Sequence, residues 1–139
     1  MADVVTSQTI VDTTGTKTVM KFTNICDGSG ETLVTKMDAS ALTFMTEDAS
    51  KTIAKIYWAI NTTNGKSGVE ISWAGSGTSS ADATIGFFSG TGFHDYNVAG
   101  NSIPNNATLT ANTSPAGDVL ISTKGFVAGD NYTIIIEVR

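Results

Sequence analysis

Hydrophobic and polar residues alternate along this chain in short stretches closed by turn residues, and helical spacing is scarce. Val4 to Val11 is a β-branched run that ends at Asp12-Thr-Thr-Gly15. Thr18 to Ile25 alternates, with Thr18, Met20, Phe22 and Asn24 on one face and Val19, Lys21, Thr23 and Ile25 on the other. Asp27-Gly-Ser-Gly30 then predicts a solvated hairpin turn, with Thr32 to Met37 as the returning partner. Ile53 to Ile60 and Val69 to Ala74 flank Asn61-Thr-Thr-Asn-Gly65, and Asn64-Gly65 between two apolar segments predicts a second hairpin. Asp118 to Lys124 and Tyr132 to Arg139 read as two further strands. Helix signals are confined to Asp38–Thr43 and Thr46–Lys51, each too short for more than a turn or two. The stretch from Val98 to Ala116 is rich in Asn and Thr, holds both prolines, and reads as a surface excursion.

Short strands without a βαβ rhythm or a fixed-period repeat predict an all-β protein. The expected architecture is an antiparallel β-sandwich (jelly-roll-like) or a β-barrel of about eight to ten strands. Residues 1–139 are expected to form a single β-sandwich domain, with 1–13 an extended arm or edge strand. Val4, Val5, Ile10 and Val11 place apolar side chains on both faces of that segment, so it should be covered on both sides or pair with another chain.

Composition narrows the function. Hydrophobic residues make up 40% of the 139 and charged residues only 15%, which suits a β protein with a neutral polar surface rather than a highly charged one. The net charge of −5 carries no basic cluster, so a nucleic-acid partner is not expected. Cys26 is the single cysteine, which excludes an intrachain disulfide and a thiolate cage and reads as a buried structural residue. No window approaches the roughly 20 apolar residues of a membrane-spanning helix, and the first residues lack the pattern of an export signal, so synthesis in a cytoplasm is expected.

Candidate chemistry is thin. His94 and Asp95 are adjacent, so on a strand they point to opposite faces and are poorly arranged as base and orienting acid. Asp27-Gly-Ser-Gly-Glu31 with Asp38 imitates a calcium loop, but Thr32 stands where that loop needs glycine and no helices flank it. Gly28-Ser-Gly30, Gly75-Ser-Gly77 and Gly90-Thr-Gly92 lack the helix and Lys-Ser/Thr of a phosphate cradle and read as turns. No catalytic residue, metal or cofactor is expected. Aromatic density is highest between Ile85 and Tyr96, which nominates Phe87, Phe88, Phe93, His94 and Tyr96 as partner-contact residues, joined by Val4, Val5 and Ile10 of the first strand. Trp58 and Trp73 are either core residues or stacking platforms for a sugar ring.

Lys55-Ile-Tyr-Trp-Ala59, Gly68-Val-Glu-Ile-Ser-Trp73, Phe87-Phe-Ser-Gly-Thr-Gly-Phe93 with Asp95, Gly117-Asp-Val-Leu-Ile-Ser-Thr123 and Asp130-Asn-Tyr-Thr-Ile-Ile-Ile-Glu137 resemble small virion structural proteins of marine tailed phages, cyanophages in particular. The resemblance implies a β-rich, non-enzymatic virion protein, foremost a capsid decoration or cement protein on the outer surface of the head. Implied partners are the major capsid protein or other virion proteins, with further copies of this chain as a homo-oligomer. A neck, collar or tail component belongs to the same class. The alternative from a different class is a carbohydrate-binding, lectin-like module for host attachment.

Overall fold

The computed structural model describes residues 3–44, 52–74, 81–96 and 118–139. The alternating segments become nine strands: β1 (Val4–Thr13), β2 (Lys17–Ile25), β3 (Val34–Met37), β4 (Ile53–Asn61), β5 (Gly68–Ala74), β6 (Ala81–Phe88), β7 (Thr91–Asp95), β8 (Val119–Lys124) and β9 (Asn131–Val138). One turn of 3-10 helix, Ala39–Ala41, follows Asp38. The excursion expected between Val98 and Ala116 and the helical signal at Thr46–Lys51 lie outside the described residues.

The strands form a five-stranded sheet in the order β1-β2-β9-β4-β7 and a four-stranded sheet in the order β3-β8-β5-β6. Pairing is antiparallel throughout and nested, β2 with β9, β3 with β8, β4 with β7 and β5 with β6. A chain doubled into one long hairpin and then rolled up gives this order, which is that of a jelly roll. β1 is an extra strand, paired along its length to β2 and, among the described residues, to no other strand. Neither sheet closes on itself among the described residues, so the sandwich rather than the barrel is the architecture.

The inward faces follow from the alternation. Met20 and Phe22 of β2, Ile56 and Ile60 of β4, and Tyr132, Ile134, Ile136 and Val138 of β9 meet Met37, Val69, Ile71, Trp73, Val119 and Ile121 of the other sheet in one core cluster. Each such side chain taken from water contributes about 1.5–3 kcal/mol, which makes this layer the main stabilising term.

Both expected hairpins are corrected. β3 pairs with β8 rather than β2, and β4 and β5 lie in different sheets. The Asn64-Gly65 turn is therefore a corner between sheets. Its geometry is fixed from outside the turn: Thr63 donates N–H and hydroxyl to Asp130 Oδ1 at 3.0 and 2.8 Å, and Ser67 Oγ donates to the Gly125 carbonyl at 2.7 Å. A turn signal reports a reversal of direction and is silent on which sheet receives the returning chain.

The segment after β2 is also a corner, and it carries a charge indoors. Glu31 is buried, its carboxylate accepting Tyr132 Oη at 2.5 Å on one oxygen and meeting Lys36 Nζ at 2.5 Å on the other. Thr123 grips the Glu31 backbone from both sides, its hydroxyl accepting the Glu31 N–H at 2.8 Å and its own N–H donating to the Glu31 carbonyl at 2.9 Å. The expected solvated turn is thus an interior ion pair at its far end, which also removes Glu31 from any calcium loop. Burial pushes the Tyr132 hydroxyl above its ordinary range, and its bond to the Glu31 carboxylate adds to the effect.

Candidate interaction surface

Cross-strand partners share a face, so the registers define what the five-stranded sheet shows to solvent. One row crosses all five strands: Gln8, Lys21, Ile135, Tyr57 and Phe93. Beside it run Thr6, Thr23, Thr133, Ala59 and Thr91, and on the other side Val11, Val19, Glu137, Lys55 and Asp95. The last row is charge-paired within itself and at its end, with Lys55 Nζ 3.8 Å from Asp95 and Arg139 Nε 2.8 Å from Glu137. The result is a face about 19 Å wide, from five strands about 4.8 Å apart, with aromatic, hydroxyl and ion-paired stripes. Phe93 is 60% exposed and Tyr57 37%, the two adjacent across β4 and β7. Tyr57 was not among the nominated contacts, although the alternation Ile56, Tyr57, Trp58 already places it opposite the core side chains.

At the other end of this face a groove of about 500 Å³ runs over β2 between β1 and β9, lined by Val4, Thr6, Thr23, Ile25, Asn131 and Thr133. Thr6 and Thr23 hydroxyls bond across its floor. Val4 and Ile25 are its exposed apolar members.

The nominated aromatic cluster is divided by the corner between β6 and β7, which passes from one sheet to the other. Phe87 stands 73% exposed on the outer side of the four-stranded sheet, opposite Glu70. Phe88 is buried and packs on Trp58 with ring centroids 4.8 Å apart, so it is a core residue and not a contact. Phe93 faces outward on the five-stranded sheet, His94 is exposed on the opposite side of β7, and Tyr96 is half-buried against the core. The His94 and Tyr96 rings lie 4.2 Å apart, and burial raises the Tyr96 hydroxyl above its ordinary range. Asp95, turned to the other face, pairs with Lys55, so it does not orient His94.

The tryptophans are packing residues. Trp73 is 1% exposed with its Nε1 unpartnered inside the sandwich. Trp58 is half-buried, donating Nε1–H to the Ser89 carbonyl at 3.1 Å. Gly92 makes room for it: a Cβ there would lie 2.7 Å from Trp58 Cε2. Neither indole lies open as a sugar platform.

β1 is paired on one edge and bare on its faces, with Val4 61%, Val5 41% and Ile10 50% exposed. Among the described residues the expected cover on both sides is absent, and β1 is the outer strand of its sheet. Ile10 sits at the bulge between Thr9 and Val11, which shifts the register on β2 by one residue.

No protein-family model, curated protein or solved structure matches the chain.

Proposed function

We propose that this protein is a non-enzymatic structural component of a virus particle, a decoration or cement protein seated on the outer surface of a tailed-phage head. The observation that carries the reading is the outward face of the five-stranded sheet, where Phe93 and Tyr57 form an exposed aromatic anchor bordered by ion-paired and hydroxyl rows. Aromatic anchors inside a polar surround are what concentrate binding energy at protein interfaces. The jelly-roll order agrees with this use, since capsid domains share it with lectins and cupins, a likeness of fold alone. A glycan-binding role loses its two proposed platforms to the core.

Cosedimentation of the purified protein with empty head shells tests the proposal. The protein is expected in the shell fraction, and Phe93→Ala combined with Tyr57→Ala is expected to release it while leaving the unfolding midpoint nearly unchanged. Recovery of all the wild-type protein unbound overturns the head assignment.

A further inference from the structure

β1 is the outer strand of the five-stranded sheet, and every second residue along it turns its N–H and C=O away from β2. Among the described residues no strand takes up that edge. Outer strands are ordinarily guarded by charge, proline or shortness. From Val4 to Val11 β1 holds no charged residue and no proline, and only the bulge at Ile10 interrupts it. The acids at its two ends are engaged within the chain. Asp3 accepts Asn24 Nδ2–H at 3.0 Å and the Asp27 N–H at 2.9 Å, and Asp12 accepts the Thr18 hydroxyl at 3.1 Å besides the Thr43 and Phe44 N–H groups. The other three outer strands differ. β7 has five residues and ends in His94 and Asp95, β3 has four with a register shift beside Lys36, and β6 carries Asp82 and two register shifts against β5.

We propose that β1 pairs with β1 of a second copy of this chain, antiparallel about a two-fold axis at Ser7, joining two five-stranded sheets into one of ten strands. A partner for this edge must be equally long, equally free of charge and able to bring β-branched side chains to both faces, and β1 is the described outer strand that meets all three conditions. A two-fold axis perpendicular to the sheet keeps like faces together, so opposed residues have numbers with an even sum. With the axis at Ser7, Val5 meets Thr9 of the second copy, Thr6 meets Gln8, Ser7 meets its own counterpart and Val4 reaches Ile10. An axis at Thr6 sets Asp3 against Thr9, and one at Gln8 carries the ladder through the bulge.

The Ser7 register covers what the single chain leaves bare. Val4 and Ile10, 61% and 50% exposed, are the most open apolar side chains of β1 and are brought together. Val5, Ser7 and Thr9 share the side of Asn24, Phe22 and Met20 yet are exposed, and each gains a cross-strand neighbour there. Seven paired residues make a ladder about 24 Å long in a sheet about 10 Å deep, which is at the small end of specific interfaces. The dimer therefore forms at micromolar and higher concentration and separates on dilution. Because the axis preserves the faces, both Phe93–Tyr57 pairs lie on the same side of the joined sheet.

Sedimentation equilibrium of the full chain over a wide concentration range tests the pairing. The mass is expected to rise from one copy to two and to stop there. Ser7→Lys, at an exposed position, sets like charges opposite each other and is expected to weaken the dimer about tenfold or more with the thermal midpoint unchanged. An equimolar mixture of Ser7→Lys and Ser7→Glu dimerises again. Mild oxidation links Ser7→Cys into a covalent dimer, since opposed Cα atoms lie about 4.5–5.5 Å apart, within disulfide reach, whereas Val5→Cys, opposite Thr9 of the second copy, stays unlinked. Phe93→Ala with Tyr57→Ala dimerises like the natural chain, so loss of shell binding and loss of pairing are read separately. A single copy at every concentration, growth past two copies, or a dimer undiminished by Ser7→Lys overturns the proposal.

Discussion

β1 and β9 both pair with β2, one along each of its edges, and both are rich in β-branched residues. In β9, Tyr132, Ile134, Ile136 and Val138 are at most 1% exposed, whereas in β1 Val4, Val5 and Ile10 are 41–61% exposed. Val5 even points to the same side as Asn24, toward the interior, and is still open to solvent. The difference is one of address. β9 lies in the middle of its sheet, paired to β2 on one edge and to β4 on the other, whereas β1 is the outer strand beyond β2. Strand propensity belongs to the segment, but burial belongs to its neighbours across the sandwich.

The most damaging way to probe the covered side is through the partner of Tyr132. Glu31→Ala leaves Lys36 charged and buried and is expected to cost about 3–5 kcal/mol in urea unfolding. Replacing Glu31 and Lys36 together by Leu and Met should cost less than the single change. Equal losses for the single and double variants would mean that the ion pair is not what the interior is built around.

Ile134→Ala, at 0% exposure in the middle of β9, is expected to lower stability by about 2–5 kcal/mol through lost burial and a residual cavity. Starting the chain at Thr14 asks the converse question of β1. Removal of that strand takes away the Asp12 carboxylate, which accepts the Thr43 and Phe44 N–H groups at 2.8 and 2.9 Å, and should cost only about 1–3 kcal/mol. Cooperative unfolding and the near-UV signal of Trp73 are expected to survive. Outright unfolding of the shortened chain would erase the distinction between the two strands.

A pH series sharpens the comparison at the corner leading into β9. The N–H of Val127, followed by the N–H and hydroxyl of Thr63, holds the Asp130 carboxyl below its ordinary range. A lowered folded-state value stabilises the fold at pH values above the ordinary carboxylate range and loses that contribution as the pH falls through it. The deficit of Asp130→Asn relative to the natural chain, read from thermal midpoints, should therefore be full at neutral pH and shrink below about pH 4. A pH-independent deficit would remove the charge from the explanation. The smallest effect is expected for Val5→Ala, within about 0.5 kcal/mol, as for other exposed positions; a loss matching Ile134→Ala would show β1 to be covered in solution.

Much of this was legible before any coordinates. The faces of Thr18–Ile25 were readable from alternation alone, because a strand facing one core must present every second side chain to it. Tyr57 was equally readable, one position away from two inward neighbours. The division of the aromatic run was not. Phe87 and Phe93 lie only six positions apart, yet the chain changes sheets between them and turns them to opposite outer faces of the sandwich. Glu31 is the sharpest case: its neighbours Gly28, Ser29 and Gly30 announce a turn in water, and only the approach of Lys36 and Tyr132 from other strands makes its burial affordable.

The sequence by itself determined where strands form, where the chain reverses and which side chains on a strand share a face, because these depend on neighbours within a few positions. Tertiary structure decided which strands pair, that Asn64-Gly65 turns a corner instead of closing a hairpin, and that β9 is enclosed while β1 is not. Those outcomes follow from fitting two sheets around one shared core, a condition on the whole chain that no short window contains.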